Sequence, residues 1–270
     1  MMEVLCRRIG MPEEVTRRVL AIHGDPGFCP ELSKLTREQT WEEGLAELKS
    51  ALGADPNGMN MLCCMLRCAL AAKETYCRLG LSDEIYFHTM GCFSRFVGEH
   101  LESYGRYGFD RGFWTVRQVS CRLLRIGELE YELIRLDGRF VISIHIPTDV
   151  QLRTPLLRAS VEQAREVLSR TFPDYANAPM FCRSWLLSPA LEELLPPDSN
   201  ILAFRRSFHI TTLPTPSTGV ILWVFKNPKL DPEDYPENTT LQRNLKAWIL
   251  AGKPFPDAKG FLAADPFHDS

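Results

Sequence analysis

His145 sits at the end of an alternating apolar run, just before Pro147. An imidazole there, with an ordinary pKa near ~6.5, can take or give a proton at neutral pH. The plain alternative is a strand-end histidine that fixes backbone. Ser184 offers a hydroxyl to a ligand, but no base is visibly paired with it, which argues against a nucleophile. Glu128, Glu130 and Glu132 alternate with Leu129, Tyr131 and Leu133. Such a carboxylate stripe ordinarily faces water. Ser199 and Asn200 have the chemistry of a turn or cap. Arg205 and Arg206 could meet a phosphate, although one of two alternating residues will simply face solvent. Nine cysteines include Cys64 and Cys68, one helical turn apart. No histidine or second pair completes a zinc set, so the thiols read as reduced, buried small hydrophobes, with no metal and no disulfide.

The elements that must position these residues differ between the two ends of the chain. Residues 11–104 read as helices only. A proline and two glutamates open one at 12–21, and Thr36 with Gln39 forms a capping-box pattern for a helix to about Leu52. A third runs from Met59 to about Arg78, and Ser82 caps a fourth that ends near Tyr104. The glycine and aromatic segment 104–110 marks a boundary between domains 1–110 and 111–270, with 111–124 ambiguous between helix and strand. After it, 128–136 alternates as a strand, Asp137-Gly138 is a hairpin signal, and 140–146 is the next strand, stopped by Pro147. Thr154 and Pro155 open a helix to about Arg170. Strands are expected at 181–187, 202–210 and 220–225, and a short helix capped by Ser188 at 189–195. A last helix at 241–251 is capped by Thr240 and closed by Gly252. Strands 140–146 and 181–187 flank a helix, so they should lie parallel and adjacent. Ligands of open α/β sheets bind beyond the C-terminal strand ends, often at a helix N-terminus, which here is 147–154.

Bulk composition narrows the function. Hydrophobic residues make up 45% and charged residues 24% of the 270, an ordinary globular balance. With 31 basic and 34 acidic side chains the net charge is -3. No basic excess is available for a phosphate backbone, which argues against nucleic acid. No apolar run approaches the roughly 18 residues of a membrane helix, and no signal peptide is evident, so a cytoplasmic protein without a membrane partner is expected.

Four segments carry a resemblance. They are RIGELEYE at 125–132, HIP at 145–147, FCRSWLLSP at 181–189 and DSNI at 198–201; TLQR at 240–243 with Gly252 adds a fifth. In this order and spacing they resemble bacterial acyltransferase-domain proteins that pair an N-terminal helical N-acyltransferase domain with a GNAT-like C-terminal domain. The resemblance implies an α+β chain, a helical domain followed by a GNAT-like mixed-sheet α/β domain. It implies acyl-CoA or acetyl-CoA as co-substrate and an unknown small-molecule amine or peptide as acceptor. The pantetheine arm would pair with the strand carrying Ile144 and Ile146. The pyrophosphate would lie on Thr148, Asp149, Val150, Gln151, Leu152 and Arg153. Glu132 and His145 become candidate bases, and Ser184 and Asn200 candidate catalytic polar groups, Asn200 near the leaving thiolate. Phosphate loops of this kind usually carry glycine, and 148–153 has none; Asp149 adds a negative charge that Arg153 and Arg158 stand to offset. Trp185 reads as core.

Two functions from different classes follow. One is an acyl-CoA-dependent N-acyltransferase. The other is a non-catalytic module that binds acyl-CoA or another ligand, or a protein, through the same fold.

Overall fold

A computed structural model describes residues 1–217, 219–226 and 230–267, and of Pro214 only the backbone. The chain divides into two compact units, Met1–Ile126 and Gly127–Ser270. The first contains helices α1 (Met2–Arg8), α2 (Glu13–Gly24), α3 (Trp41–Leu52), α4 (Met59–Arg78), α5 (Asp83–Met90), α6 (Cys92–Tyr104) and α7 (Gly112–Val119). It ends in a short strand, β1 (Leu123–Ile126).

α4 is the centre of this unit. Leu62, Cys63, Cys64, Met65 and Leu66 are consecutive and all fully buried. Helices apolar on every side are interior ones. Each large apolar side chain buried there stabilises by about 1.5–3 kcal/mol before entropy is charged against it. Its start is set by two residues of the preceding turn. The Asp55 carboxylate accepts the N–H groups of Asn60 at 3.3 Å and Met61 at 2.9 Å. Gly58 takes φ +66°, and a Cβ there would stand 1.7 Å from the Phe109 carbonyl oxygen. Phe109 thus locks the 104–110 segment, where the sequence suggested a boundary, against the start of α4, and its ring packs 6.0 Å from that of Phe93.

Several helical expectations change. Helices also occupy Met2–Arg8 and Gly112–Val119, because Met2, Leu5 and Cys6, and Val116 and Val119, bury at helical spacing. Thr36 does not open a helix. It closes a 3-10 turn, its hydroxyl bonding back to the Ser33 carbonyl at 3.4 Å, and α3 starts only at Trp41. The helix capped by Ser82 is interrupted at Gly91, which divides it into α5 and α6.

The second unit begins with β2 (Leu129–Leu136) and β3 (Arg139–His145), then α8 (Thr154–Thr171), β4 (Met180–Arg183), α9 (Leu191–Leu194) and α10 (Asn200–Arg206). β5 (Phe208–Pro216), α11 (Gly219–Phe225), α12 (Thr240–Leu250) and β6 (Pro256–Leu262) complete it. Its strands lie in the order β2-β3-β4-β6-β5. Asp137 and Gly138 both take positive φ, the turn that a two-residue hairpin needs. β3 and β4 are parallel and adjacent, as the strand-helix-strand pattern predicts, and the other described pairs are antiparallel.

Three expected strands are corrected. The strand at 181–187 stops at Arg183, because Ser184 caps a 3-10 turn, accepting the Leu186 N–H at 3.2 Å. The segment 202–210 is mostly helix. Ser199 caps α10 by accepting the Ile201 N–H at 3.2 Å, and Leu202 and Phe204 are buried; the strand begins only at Phe208. Val220–Phe225 is also helical, since Val220, Val224 and Phe225 join one apolar cluster with Leu191, Leu245 and Phe255. Tertiary packing overrides their β-branched preference. Trp185 packs at the edge of that cluster. α8 starts one residue earlier than expected, with Arg153 at the cap position, and Thr239 rather than Thr240 caps α12 in a full capping box with Gln242.

Candidate active site

β2 faces two ways, and each face does different work. Tyr131 points to α8, where its hydroxyl meets the Ser160 hydroxyl at 2.8 Å; the same Oγ accepts the Leu129 N–H at 3.3 Å. Gly127 permits this approach. Its φ is +61°, and a Cβ would stand 2.9 Å from that of Ser160. The other face carries Glu130 and Glu132. It is not the solvated stripe that the alternation suggested, for Glu130 is only 3% exposed.

In the hairpin register Glu132 lies opposite Ser143, and Glu130 opposite His145. Glu132 and His145 therefore share a face as diagonal neighbours, within reach of long side chains. Nε2 of His145 lies 2.8 Å from Oε2 of Glu132, with side chains 25% and 13% exposed. An ionised carboxylate only accepts, so Nε2 carries the proton and the imidazole lone pair is assigned to Nδ1. Such a pair fixes ring orientation and tautomer and stabilises the imidazolium that forms when Nδ1 takes a proton.

The pair stands where the sheet opens. The last β3–β4 register pair is Ile144 with Cys182; beyond it Arg183 pairs with Lys259 of β6, and the Ser184 N–H is donated to Ala258. β4 thus turns toward β6 while β3 runs on through His145 and Ile146 into the loop 147–153. That loop delivers the chain to α8, whose first turn has no side-chain cap. Aligned peptide dipoles leave such an end with roughly half a positive charge. Within the loop, Val150 donates to the Pro147 carbonyl at 3.1 Å and Arg153 to the Gln151 carbonyl at 2.8 Å. Thr148, Asp149, Gln151 and Arg153 are exposed, Val150 and Leu152 partly so. On the same two strands a cavity of about 500 Å³ opens at the opposite end, beside Ile142, Tyr175 and Met180, not at 148–153.

The other candidates fall elsewhere. Ser184 has its hydroxyl engaged as a cap, and Asn200 is the exposed first residue of α10. Arg158 does not face the loop; its guanidinium donates to the Phe267 carbonyl. Arg205 is bound to Glu192 and to the Leu187 carbonyl, and Arg206 to that of Pro197. Sequence reasoning missed Glu128, whose carboxylate accepts the Gln151 N–H at 2.7 Å. No spacing rule reveals a contact between a strand start and a loop that distant in sequence. Among the described residues no cluster of three or more His, Cys, Asp or Glu side chains is arranged for a metal, and no helix is long and apolar enough to cross a membrane.

Residues 123–262 match the family model of the GNAT-like C-terminal domain, and residues 2–121 that of the N-acyltransferase N-terminal domain. The chain belongs to the family with the GNAT-like C-terminal domain, here preceded by an N-acyltransferase N-terminal domain. Among solved structures it is similar to an acyltransferase in complex with decanoyl-CoA and teicoplanin, at TM-score 0.81 and 25% identity, covering 96% of this chain and 86% of the other. An acyltransferase in complex with CoA and 10C-teicoplanin gives a TM-score of 0.82 at 23% identity, covering 97% and 87%. An acyltransferase mutant in complex with octanoyl-CoA gives 0.81 at 23% identity, covering 96% and 86%. No curated protein matches.

Proposed function

We propose that the chain transfers an acyl group from acyl-CoA to the amine of a small-molecule or peptide acceptor. The observation that carries this reading is the Glu132–His145 pair, 2.8 Å apart at the point where β3 and β4 separate. A thioester arm laid along β3 past Ile144 and Ile146 would bring its carbonyl to that opening. The amine attacks the carbonyl carbon, the C–N bond forms and the C–S bond breaks. Nδ1 of His145 takes the ammonium proton and returns it to the departing thiolate. Holding both reactants at the opening supplies proximity, and Glu132 keeps the imidazole in the needed tautomer. Ser184 and Asn200 take no step in this scheme.

The reading assumes a bacterial cytoplasm as the source of acyl-CoA, and involves neither nucleic acid nor a membrane surface. The ligands named for the similar acyltransferases make decanoyl-CoA and octanoyl-CoA the first donors to test, and teicoplanin the first acceptor. The decisive experiment measures acyl-CoA binding by calorimetry and amide formation by mass spectrometry across an amine panel. Turnover that falls at least about 100-fold in His145→Ala, with binding retained, is expected. Binding without turnover on any amine would leave the non-catalytic acyl-CoA-binding module in its place.

A further inference from the structure

Glu128 precedes β2 and reaches across to the loop that follows β3. One of its carboxylate oxygens accepts the backbone N–H of Gln151 at 2.7 Å, the length of a charge-assisted bond. Gln151 lies in the middle of 148–153, the segment on which the resemblance to acyltransferase-domain proteins lays the pyrophosphate of CoA. In loops built to bind phosphate, successive N–H groups converge on the bound anion. Here a Cβ stands at every position. The N–H groups of Val150 and Arg153 are already donated to carbonyls of the loop itself. The N–H of Gln151 is donated too, but to an anion that the chain itself provides.

We propose that Glu128 is a built-in counter-anion of this loop: it occupies the Gln151 donor while the site is empty, and an incoming pyrophosphate displaces it. The inference rests on the proposed CoA site. Glu128 holds a negative charge at the Gln151 N–H, where an incoming pyrophosphate brings a group of the same sign, and like charges in close approach near a protein surface repel. Binding therefore includes a swing of the Glu128 side chain away from Gln151. The cost falls equally on acyl-CoA and on free CoA, so it weakens both and leaves the preference between them unchanged. It does not fall on a thioester that lacks the phosphates.

The test compares wild type, Glu128→Gln and Glu128→Ala in calorimetry with CoA and with a phosphate-free acyl-pantetheine. Glu128→Gln keeps an acceptor for the Gln151 N–H and removes the charge. It should bind CoA about five- to tenfold tighter at low ionic strength, and the gain should shrink as salt is raised. Acyl-pantetheine affinity should stay within about twofold of wild type by the same argument. CoA affinity that is unchanged or weaker in Glu128→Gln overturns the proposal and makes Glu128 a bystander or a brace. Glu128→Ala that weakens both ligands together, while Glu128→Gln tightens CoA alone, shows that the acceptor also shapes the loop and leaves the charge effect standing. Acyl-pantetheine bound by the wild type, with CoA unbound at any salt concentration, would remove the pyrophosphate site itself and the proposed function with it.

Discussion

His145 and Glu132 meet across the hairpin although neither is the other's partner in the β2–β3 ladder; the partner of Glu132 is Ser143 and that of His145 is Glu130. The diagonal contact makes them one chemical unit. Glu132→Gln should lower kcat about 10- to 100-fold, less than His145→Ala. The double variant should be no worse than His145→Ala, because groups acting as one unit are not additive. Rates that multiply independently would separate the two residues.

Arg153 is the exposed cap residue of α8, and Arg158, one turn further on, is committed to the chain near its C-terminus. Arg153→Ala should weaken acyl-CoA binding about tenfold at low salt and less at high salt, where the charge is screened. Calorimetry at two ionic strengths reads this directly. An unchanged affinity would move the phosphates away from the loop.

Phe267 is only 3% exposed, stacks 5.9 Å from Phe204, and donates its N–H to the Ser207 hydroxyl at 3.0 Å while its carbonyl receives Arg158. Phe267→Ala should cost about 3 kcal/mol in urea unfolding, as large-to-small changes at buried aromatics do. Arg158→Ala should share part of that loss rather than act on CoA affinity. Thioester binding lost without any stability change in Arg158→Ala would contradict the assignment.

Ser160→Ala removes the acceptor of the Leu129 N–H and the partner of the Tyr131 hydroxyl, both in the interior. Leaving those groups unsatisfied should cost about 1–3 kcal/mol. Gly127→Ala should be at least as damaging, since it adds a Cβ against Ser160 in a left-handed backbone. A thermal shift series on the two variants checks the order.

Cys29 and Cys77 are exposed, and the other cysteines are buried. Burial pushes Cys64, Cys68 and Cys121 up to about 12 from 9.0. Maleimide at pH 8 should mark Cys29 and Cys77 quickly and the rest only in denaturant. The sign of the pH dependence follows from the same shifts. Below pH 9 both folded and unfolded thiols hold their protons and contribute nothing. Between pH 9 and 12 the unfolded chain sheds protons that the native one keeps, so stability falls, by up to about 1.4 kcal/mol per thiol per pH unit. A urea midpoint that stays flat from pH 8 to 10 would contradict this.

The hairpin around Asp137-Gly138 and the parallel pair with its intervening helix were legible because alternation, turn chemistry and connection length agree there. The register was in reach as well: a two-residue turn sets Leu136 opposite Arg139, and from that the Glu132–His145 diagonal follows. What could not be read was burial of the second face, because three glutamates look the same whether water or protein covers them. Val220–Phe225 reads as a strand because all six of its residues are apolar, and a short continuous apolar run fits a buried strand and a buried helix alike. β6 gave no signal at all. Pro256, Asp257, Ala258, Lys259 and Gly260 are all poor strand formers, and Gly260 is there because a Cβ would stand 2.7 Å from the His209 carbonyl oxygen.

That late strand has a consequence for synthesis. β6 lies between β4 and β5, yet follows both in the chain. Until it leaves the ribosome, β4 and β5 have no bridge, and the edges that will later pair with β6 stand open to other chains. The sheet cannot be finished progressively from the N-terminus, whereas the helical unit ahead of it is complete in sequence by Ile126. The nascent protein therefore carries a finished helical unit while its second unit waits for its last strand, a window in which chaperone binding or aggregation competes with closure.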